Sequence, residues 1–311
     1  MNYFKKRVLV AVDGSYQALQ AVSYVSRLLP SDRTEVVLFH VKDKISENFW
    51  EIANNPAFRH RLAGARAWAI QGEIDIQMFM ERARQLLVDQ GFPGDAIDVR
   101  IQDKKMGIAR DIVREAQRDY DAVVVGRWGV SKLKDLVWGS TANKLAGLLL
   151  HGPLCVVGQT PQTGKVLIAM DASIGTMRAV DYVGTMLAGR DEKVTLFHVV
   201  KGLDLESPRY QKLILFDKKW LPKAKRSAEY VFQEATARLE KAGLNRDQIS
   251  TKIVTRVGSA AKVIVEEAKN GSYGTVVVGR RGLSRLQGFL TGRVSNAVVH
   301  LARETAAWVV Y

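Results

Sequence analysis

The stretch Ala122-Val-Val-Val-Gly-Arg-Trp-Gly129 is a short apolar run that leads into two glycines spaced three residues apart. Nine residues later the chain reads Gly139-Ser140. A buried strand that ends in a glycine-rich loop, with a helix after it, is a common cradle for phosphate. Glycines let backbone N–H groups approach the anion, and the helix N-terminus adds positive potential. The stretch therefore predicts an α/β fold with an anion-binding loop.

The same pattern occurs again in the second half of the chain. Thr275-Val-Val-Val-Gly-Arg-Arg-Gly282 is followed by nine residues and then Gly292-Arg293. Two other pairs of segments match in the same order, Val8–Ser15 with Val166–Ser173 at five of eight positions and Val36–Val41 with Val194–Val199 at five of six. Matches of this kind indicate a duplicated domain rather than a short-period solenoid. We predict a first domain over residues 1–158 and a second, diverged domain over 164–311.

The composition is that of a soluble globular protein, because 47% of the 311 residues are hydrophobic and 25% are charged. No stretch reaches the ~18 apolar residues that a transmembrane helix needs. The N-terminus shows no secretory signal, so we expect a cytoplasmic location and no membrane partner. The single cysteine, Cys155, excludes an internal disulfide and a zinc ribbon, and its apolar neighbours predict a buried structural thiol.

The formal net charge of +14 is concentrated in the second half. Residues 1–160 carry 22 Lys and Arg against 18 Asp and Glu, whereas residues 161–311 carry 24 against 14. The tract Arg209–Arg226 holds seven basic residues and one acid, together with Trp220. Such a tract could bind RNA or an acidic protein, but a solvated basic surface is the simpler interpretation.

Strand-like apolar runs alternate with helical patterns in both halves. The strands predicted in the first half are Val8–Val12, Val36–Val41, Ile97–Ile101, Ala122–Val125 and Leu154–Val157. Alternation of this kind implies right-handed crossovers and a mainly parallel sheet. Ligands of such sheets bind beyond the carboxyl ends of the strands. Asp13, Val41 and the glycine loop should meet there.

Taken together, these residues resemble the universal stress protein family in its tandem two-domain form. The first half has the family's whole signature: Asp13 after the first strand, the loop Gly126–Ser140, and Pro153–Val157 at the last strand. The resemblance implies an α/β, Rossmann-like fold of the adenine-nucleotide α-hydrolase type. It would consist of two tandem open, mainly parallel five-stranded sheets with helices on both faces. The two halves would pack as an intramolecular pseudo-dimer, and two tandem chains could form a homodimer.

The resemblance also implies a site for ATP, with or without Mg²⁺, in the first half. In members that bind ATP, it places Asp13 near the adenosine, the main chain at Val41 against adenine, and the loop glycines and Ser140 at the phosphates. The residues that we predict to bind nucleotide are Ala11, Val12, Asp13, Val41, Gly126, Gly129, Gly139, Ser140 and Thr141. The alternative is that the loop is only a tight structural turn and that Asp13 caps the first helix.

The second copy departs from the signature. Arg293 stands where the family has Ser or Thr, and Ala172 replaces the glycine after the acid. The residues of a possible degenerate second site are Asp171, Val199, Gly279, Gly282, Gly292 and Arg293. Arg293 could bind a phosphate bidentately, or it could fill the empty pocket and pair with an acid. Arg280, Arg281 and Arg285 would join it in an anion site or on a solvated basic face.

No catalytic residue or metal site is predicted. No nucleophile, base and orienting group occur together in a legible pattern, and His40 and His198 are expected to be hydrogen-bonded core histidines. Our first hypothesis is a cytoplasmic stress-response protein that binds ATP and acts as a nucleotide-dependent regulatory module. A second is a scaffold that binds an acidic protein or RNA through Lys218, Lys219, Lys223 and Lys225. A third is a slow ATPase.

Overall fold

A computed structural model shows strands and helices alternating along both halves of the chain. It describes residues 5–43, 59–129, 139–149, 152–159, 161–162, 164–171, 173–201, 220–256, 258–280 and 293–311. The strands of the first repeat are β1 (Lys6–Ala11), β2 (Thr34–Lys42), β3 (Ile97–Asp103), β4 (Ala122–Gly126) and β5 (Leu154–Val157). Its helices are α1 (Tyr16–Leu28), α2 (Arg59–Asp89), α3 (Ile108–Ala116) and α4 (Ser140–Leu148).

The second repeat has the same order of elements. Its strands are β6 (Lys165–Met170), β7 (Lys193–Lys201), β8 (Ile249–Arg256), β9 (Thr275–Gly279) and β10 (Ala306–Val310). Its helices are α5 (Ile174–Leu187), α6 (Trp220–Lys241), α7 (Ala260–Asn270) and α8 (Arg293–Leu301). The predicted α/β class is therefore confirmed. None of the helices in the described ranges is long and apolar enough to cross a membrane.

Two compact units divide the chain. The first comprises Met1–Ser26 and Ser31–Leu148, and the second comprises Arg27–Pro30 and Leu149–Tyr311. The last strand of the first sequence repeat, β5, thus belongs to the second unit. The domain bounds that we drew from the repeat remain a prediction.

The first unit is built on a parallel sheet in the order β3-β2-β1-β4. Val8 of β1 pairs with Val36 of β2 on one side and with Ala122 of β4 on the other. Val8, Leu9 and Val10 are fully buried, as expected for the central strand of a parallel sheet that is covered on both faces. The continuous apolar runs of the sequence correspond to these central strands.

The second unit has its strands in the order β5-β10-β9-β6-β7-β8. All neighbours from β10 to β8 are parallel, whereas β5 runs antiparallel to β10, with Cys155 opposite Trp308. Cys155 is 4% exposed, and burial raises the pKa of its thiol far above the ordinary value. This agrees with the structural role predicted for the cysteine.

Local hydrogen bonds explain where several elements begin. Ser15 caps α1, since its hydroxyl accepts the N–H of Ala18 at 3.1 Å. The helix expected after the glycine loop, α4, begins at Ser140 and ends at Leu148. At the start of β10, the N–H of Ala306 donates to the carbonyl of Gly274 at 2.9 Å. The equivalent residue of the first repeat is Pro153, which has no N–H and could not make this bond.

Candidate functional site

A cavity of about 600 Å³ opens at the carboxyl ends of β1, β2 and β4 in the first unit. The nine residues predicted to bind nucleotide all line it: Ala11, Val12, Asp13, Val41, Gly126, Gly129, Gly139, Ser140 and Thr141. They come from four separate segments of the chain. The structure therefore brings the whole predicted set together around one space, as expected for a ligand site in an open α/β sheet.

The end of β2 forms one edge of the cavity because β2 extends further than β1. The last register pair joins Ala11 to Phe39, and β2 then continues to Lys42. Val12 donates its N–H to the Phe39 carbonyl at 2.9 Å before the chain turns away. The backbone of Val41 therefore lies beyond the end of the β1 ladder, at the cavity.

His40 holds this edge in place. Its Nδ1 lies 2.8 Å from the Val12 carbonyl oxygen, which can only accept, so Nδ1 carries the proton and donates. Burial lowers the pKa of His40 below its ordinary value, although the bond to Val12 and the nearby Asp13 oppose the shift. The ring is therefore neutral at pH 7. His198 makes the same contact with Met170 at 2.7 Å, so both histidines are hydrogen-bonded strand residues, as predicted.

Asp13 stands at the mouth of the cavity, directly after β1. Its Oδ1 accepts the N–H of Ser15 at 3.0 Å, and the intervening Gly14 has φ +82°. Such a φ favours glycine, which explains the Asp-Gly-Ser order of the sequence. Asp13 thus orders the helix start, and its exposed carboxylate also faces the glycine loop, where a β-carbon at Gly129 would come within 2.2 Å of Oδ2.

The other two loop glycines have packing reasons for their identity. A β-carbon on Gly126 would lie 3.0 Å from the backbone carbonyl of Gln17, so glycine lets the end of β4 touch the first turn of α1. Gly139 donates its N–H to the Arg127 carbonyl at 2.9 Å, and a β-carbon there would meet the same oxygen at 2.8 Å. These two contacts place α4 so that exposed Ser140 opens the helix at the cavity.

Part of the cavity wall was not predicted from the sequence. Helix α2 contributes Gly72, Glu73 and Ile76, and α3 contributes Ile108 and Ile112. These residues carry no motif and lie far along the chain from the glycine loop. Ile112 belongs to the helical apolar pattern, which was the one signal that could have found it.

Ion pairs and an aromatic contact complete the wall. Glu73 bonds the ammonium group of Lys42 at 3.0 Å, which raises the pKa of that lysine and joins α2 to the end of β2. Arg127 is fully buried, with its guanidinium carbon 5.7 Å from the centre of the Trp128 ring. Trp128 itself lines the cavity, so its bulky ring is part of the cavity wall.

The loop before α3 is held by Asp111, another residue that sequence reasoning missed. Its carboxylate accepts backbone N–H groups from Lys105 at 2.8 Å and from Met106 and Gly107 at 3.2 and 3.3 Å. Burial works to raise the pKa of Asp111, but these amide donors outweigh it and lower the pKa below its ordinary value. Asp111 therefore fixes the entry to the helix that supplies the isoleucine side of the cavity.

The acid of the second repeat is engaged differently. Asp171 Oδ1 accepts from Ser173 N at 3.0 Å and from the hydroxyls of Ser173 and Thr176 at 2.5 Å each. Gly279 again allows a close approach, since a β-carbon there would lie 2.7 Å from the backbone of Gly175. Val199 follows His198 in β7, whose ring contacts the Met170 carbonyl as the His40 ring contacts that of Val12.

Other residues of the degenerate second site are only partly defined. Arg293 is exposed as the first residue of α8. Gly282, Gly292 and Ala172 lie outside the described residues. That this copy binds any ligand stays a prediction.

Arg280 does not contribute to an exposed anion site. It is 4% exposed, its Nη1 donates to the carbonyl of Leu149 at 2.6 Å, and its guanidinium carbon lies 3.8 Å from the centre of the Tyr311 ring. The charge pattern suggested a basic cluster, but burial against an aromatic ring and a carbonyl gives this arginine a structural role. Arg281 and Arg285 lie outside the described residues.

The basic tract of the second half is only partly described. Lys223 and Lys225 are exposed near the start of α6, whereas Lys218 and Lys219 lie outside the described part of the chain. Binding of RNA or an acidic protein by this tract stays a prediction. Within the described ranges, no three His, Cys, Asp or Glu side chains form a group that could hold a metal ion.

The described strands and helices alternate in two repeats, and the first repeat has a glycine loop and a cavity at the carboxyl ends of its strands. These features define a tandem α/β protein with a cavity at the carboxyl edge of a parallel sheet. The family model of the universal stress protein family matches residues 5–149 and 163–306. The chain therefore belongs to the universal stress protein family, in its tandem form.

Individual relatives agree with this assignment. The chain is 27% identical over 140 residues to universal stress protein A homolog 2 of Coxiella burnetii, across 45% of this chain and 89% of that protein. A universal stress protein from Archaeoglobus fulgidus superposes over 98% of this chain and 97% of its own, with a TM-score of 0.61 and 15% identity. A functionally unknown protein from Pseudomonas aeruginosa PAO1 covers 98% and 92%, with a TM-score of 0.57 and 14% identity. The two structures share the fold over the whole chain.

Proposed function

We propose that this chain is a cytoplasmic stress-response protein that binds ATP in its first unit, and that nucleotide occupancy regulates its shape or its partners. One observation carries the proposal: nine residues chosen from a phosphate-loop motif and its neighbours meet around one cavity of about 600 Å³. That volume falls in the usual range for small-molecule sites. Family membership agrees with the proposal but does not specify the ligand.

The two sides of the cavity suit the two ends of a nucleotide. The backbone of Val41, past the end of the β1 ladder, offers hydrogen-bonding groups to the edge of a base. Ile76 of α2 and Ile112 of α3 supply apolar surface for the base faces. The neutral ring of His40 braces this end through the Val12 carbonyl and adds no charge to it.

The opposite side suits phosphate. Gly126 and Gly129 bring loop backbone to the cavity, and α4 begins there with Ser140 and Thr141. Hydroxyl groups and the positive end of a helix both stabilise phosphate oxygens. Asp13, between the two sides, is placed to accept a hydrogen bond from a sugar hydroxyl. These assignments describe binding, and they leave no side chain in the role of a catalytic base.

Regulation follows if the ligand binds one conformation better than another. The residues that line the cavity come from β1, α1, β2, α2, α3, β4 and α4. A bound nucleotide would contact them at the same time and would hold their relative positions. A partner that contacts any of these segments could then distinguish the occupied protein from the empty one.

Equilibrium binding of labelled ATP to the full-length chain tests the proposal. We expect saturable binding with one site per chain, and competition by ADP and AMP more than by free phosphate. Gly129→Lys, which puts a long side chain over Asp13, should abolish it. Absence of saturable binding to the wild-type chain at millimolar ATP would overturn the proposal, as would full binding by Gly129→Lys.

A further inference from the structure

The two repeats start their first helix in the same way. In the first unit, Ser15 N donates to Asp13 Oδ1 at 3.0 Å and the Ser15 hydroxyl accepts from Ala18 N at 3.1 Å. In the second unit, Ser173 N donates to Asp171 Oδ1 at 3.0 Å, and the Ser173 hydroxyl accepts from Thr176 N at 3.2 Å. The backbone of the acid turn is therefore equivalent in the two repeats, and their difference lies in the side chains.

The two repeats differ in the side chain three residues after the capping serine, next to the acid. Position 18 is alanine, and its counterpart, position 176, is threonine. The Thr176 hydroxyl donates to Asp171 Oδ1 at 2.5 Å and accepts the N–H of Asp171 at 3.3 Å. Thr176 is 3% exposed, so this bond is shielded from water, whereas Ala18 presents only a methyl group.

The consequence for a ligand follows from hydrogen-bond capacity. Asp171 Oδ1 already accepts from three donors on Ser173 and Thr176, more than its lone pairs can serve well. A ligand hydroxyl or amino group that approached Oδ1 would have to displace one of them. At the equivalent place in the first unit, Ala18 lines the cavity itself, so its small size leaves room beside Asp13.

We propose that residue 18 and its counterpart 176 determine which repeat can use its acid to bind a ligand. Alanine at position 18 leaves the Asp13 carboxylate addressable from the cavity. Threonine at position 176 ties the Asp171 carboxylate into the start of its own helix. That the ligand is a nucleotide rests on the function proposed above. The control of Asp13 by residue 18 and of Asp171 by residue 176 does not depend on that function.

Carboxylate labelling tests the control of the acid without any nucleotide. The full-length chain is treated with a water-soluble carbodiimide and an amine, and peptide mass spectrometry follows each acid. Asp13 should react faster than Asp171. Thr176→Val, which keeps the shape and removes the hydroxyl, should speed labelling of Asp171 by about tenfold or more, the factor expected when a hydrogen bond to a charged group is lost. Thr176→Ser, which keeps the hydroxyl, should leave Asp171 protected.

The reciprocal substitutions test position 18. Ala18→Thr should slow labelling of Asp13 by about the same factor, whereas Ala18→Val, equal in size, should slow it much less. Equal effects of threonine and valine at either position would overturn the proposal, because volume rather than the hydroxyl would then control the acid. Equal labelling of Asp13 and Asp171 in the wild-type chain would also overturn it.

ATP binding by the same variants separates this inference from the proposed function. If the wild-type chain binds ATP, Ala18→Thr should bind it at least about fivefold more weakly than Ala18→Val. Wild-type binding with no difference between these two variants would overturn the inference and leave the proposed function standing. Absence of wild-type binding, with the labelling pattern as expected, would overturn the proposed function and support the control of the acid by residues 18 and 176.

Discussion

The carboxylate of Asp13 lies against the α-carbon of Gly129, so close that a β-carbon at residue 129 would come within 2.2 Å of Oδ2. These two residues are more than a hundred positions apart in sequence, at the ends of different strands. Glycine suits position 129 because the acid that follows β1 occupies the space of its missing side chain.

Gly129→Ala should weaken nucleotide binding without unfolding the protein. The added methyl group would push the Asp13 carboxylate out of place, and because Asp13 is exposed it can move at little cost in stability. We expect ATP affinity to fall about tenfold or more, as when a hydrogen bond to a charged group is lost. Isothermal titration calorimetry measures the change.

Gly147→Ala is the matched control for this substitution. Gly147 lies in α4, and a β-carbon there meets no atom within 4 Å. It should bind ATP like the wild-type chain and be slightly more stable, because alanine is a better helix former than glycine. Equal affinities of the two alanine variants would contradict a role for the Asp13–Gly129 contact.

Gly126→Ala and Gly279→Ala should destabilise the fold, because both glycines touch helix backbone. A β-carbon would lie 3.0 Å from the carbonyl of Gln17 in the first case and 2.7 Å from that of Gly175 in the second. Backbone cannot rotate away as a side chain can. We expect each variant to lose about 1–3 kcal/mol of unfolding free energy, with the larger loss at Gly279. Urea denaturation measures it, and wild-type stability in both variants would refute the packing explanation.

The pH dependence of stability should show the effect of His40. Burial lowers the pKa of its imidazole in the folded chain, while the unfolded chain keeps the ordinary value of 6.5. Below pH 6.5 the unfolded state therefore binds more protons, and stability falls with the pH until the folded-state pKa is passed. His40→Asn keeps a side-chain N–H donor for Val12 and does not titrate.

The His40→Asn variant should accordingly lose less stability than the wild type on going from about pH 7 to pH 5. Urea midpoints at several pH values in that window provide the comparison. The stability curves of the two proteins should run parallel above pH 7, where the His40 ring is neutral in both the folded and the unfolded state. Parallel curves over the whole range would mean that His40 does not resist protonation when folded.

Much of the fold and of the site was predictable because its signals are local. Continuous valine runs mark central strands, and β4 lies within a residue of its predicted bounds. Asp13 and the loop glycines follow directly after strands, and parallel strands bring their carboxyl ends to one edge. Knowing the strands was therefore enough to predict that Asp13, Val41 and the glycine loop would meet, whereas the full set of nine residues also drew on the family resemblance.

The remainder depends on contacts that no local pattern encodes. Glu73 reaches the cavity only because α2 packs over the end of β2, and its partner Lys42 is 31 positions away in sequence. The pairing of β5 with β10 depends on tertiary structure in the same way. Arg280 has the sequence appearance of a surface cation, and only the folded chain shows that a carbonyl and an aromatic ring enclose it.

Tyr311 and Arg280 together should stabilise the second unit through one carbonyl. The Tyr311 hydroxyl and Arg280 Nη1 both donate to Leu149 O, and the guanidinium stacks on the tyrosine ring. Burial raises the pKa of Tyr311 to about 12, against the opposing charge of Arg280. Tyr311→Phe keeps the ring but loses the hydroxyl, and should cost about 1 kcal/mol at pH 8.

The alkaline range gives this prediction its sharper test. Because the folded-state pKa of Tyr311 is raised above the unfolded value of 10.0, its contribution is complete below pH 10 and is lost as the pH rises towards about 12. Tyr311→Phe should therefore lose less stability than the wild type between these pH values, as measured by urea denaturation. Tyr230→Phe, at an exposed position on α6, should follow the wild-type curve. A Tyr311→Phe curve parallel to the wild type would show that the phenol ionises as readily in the folded protein as in the unfolded chain.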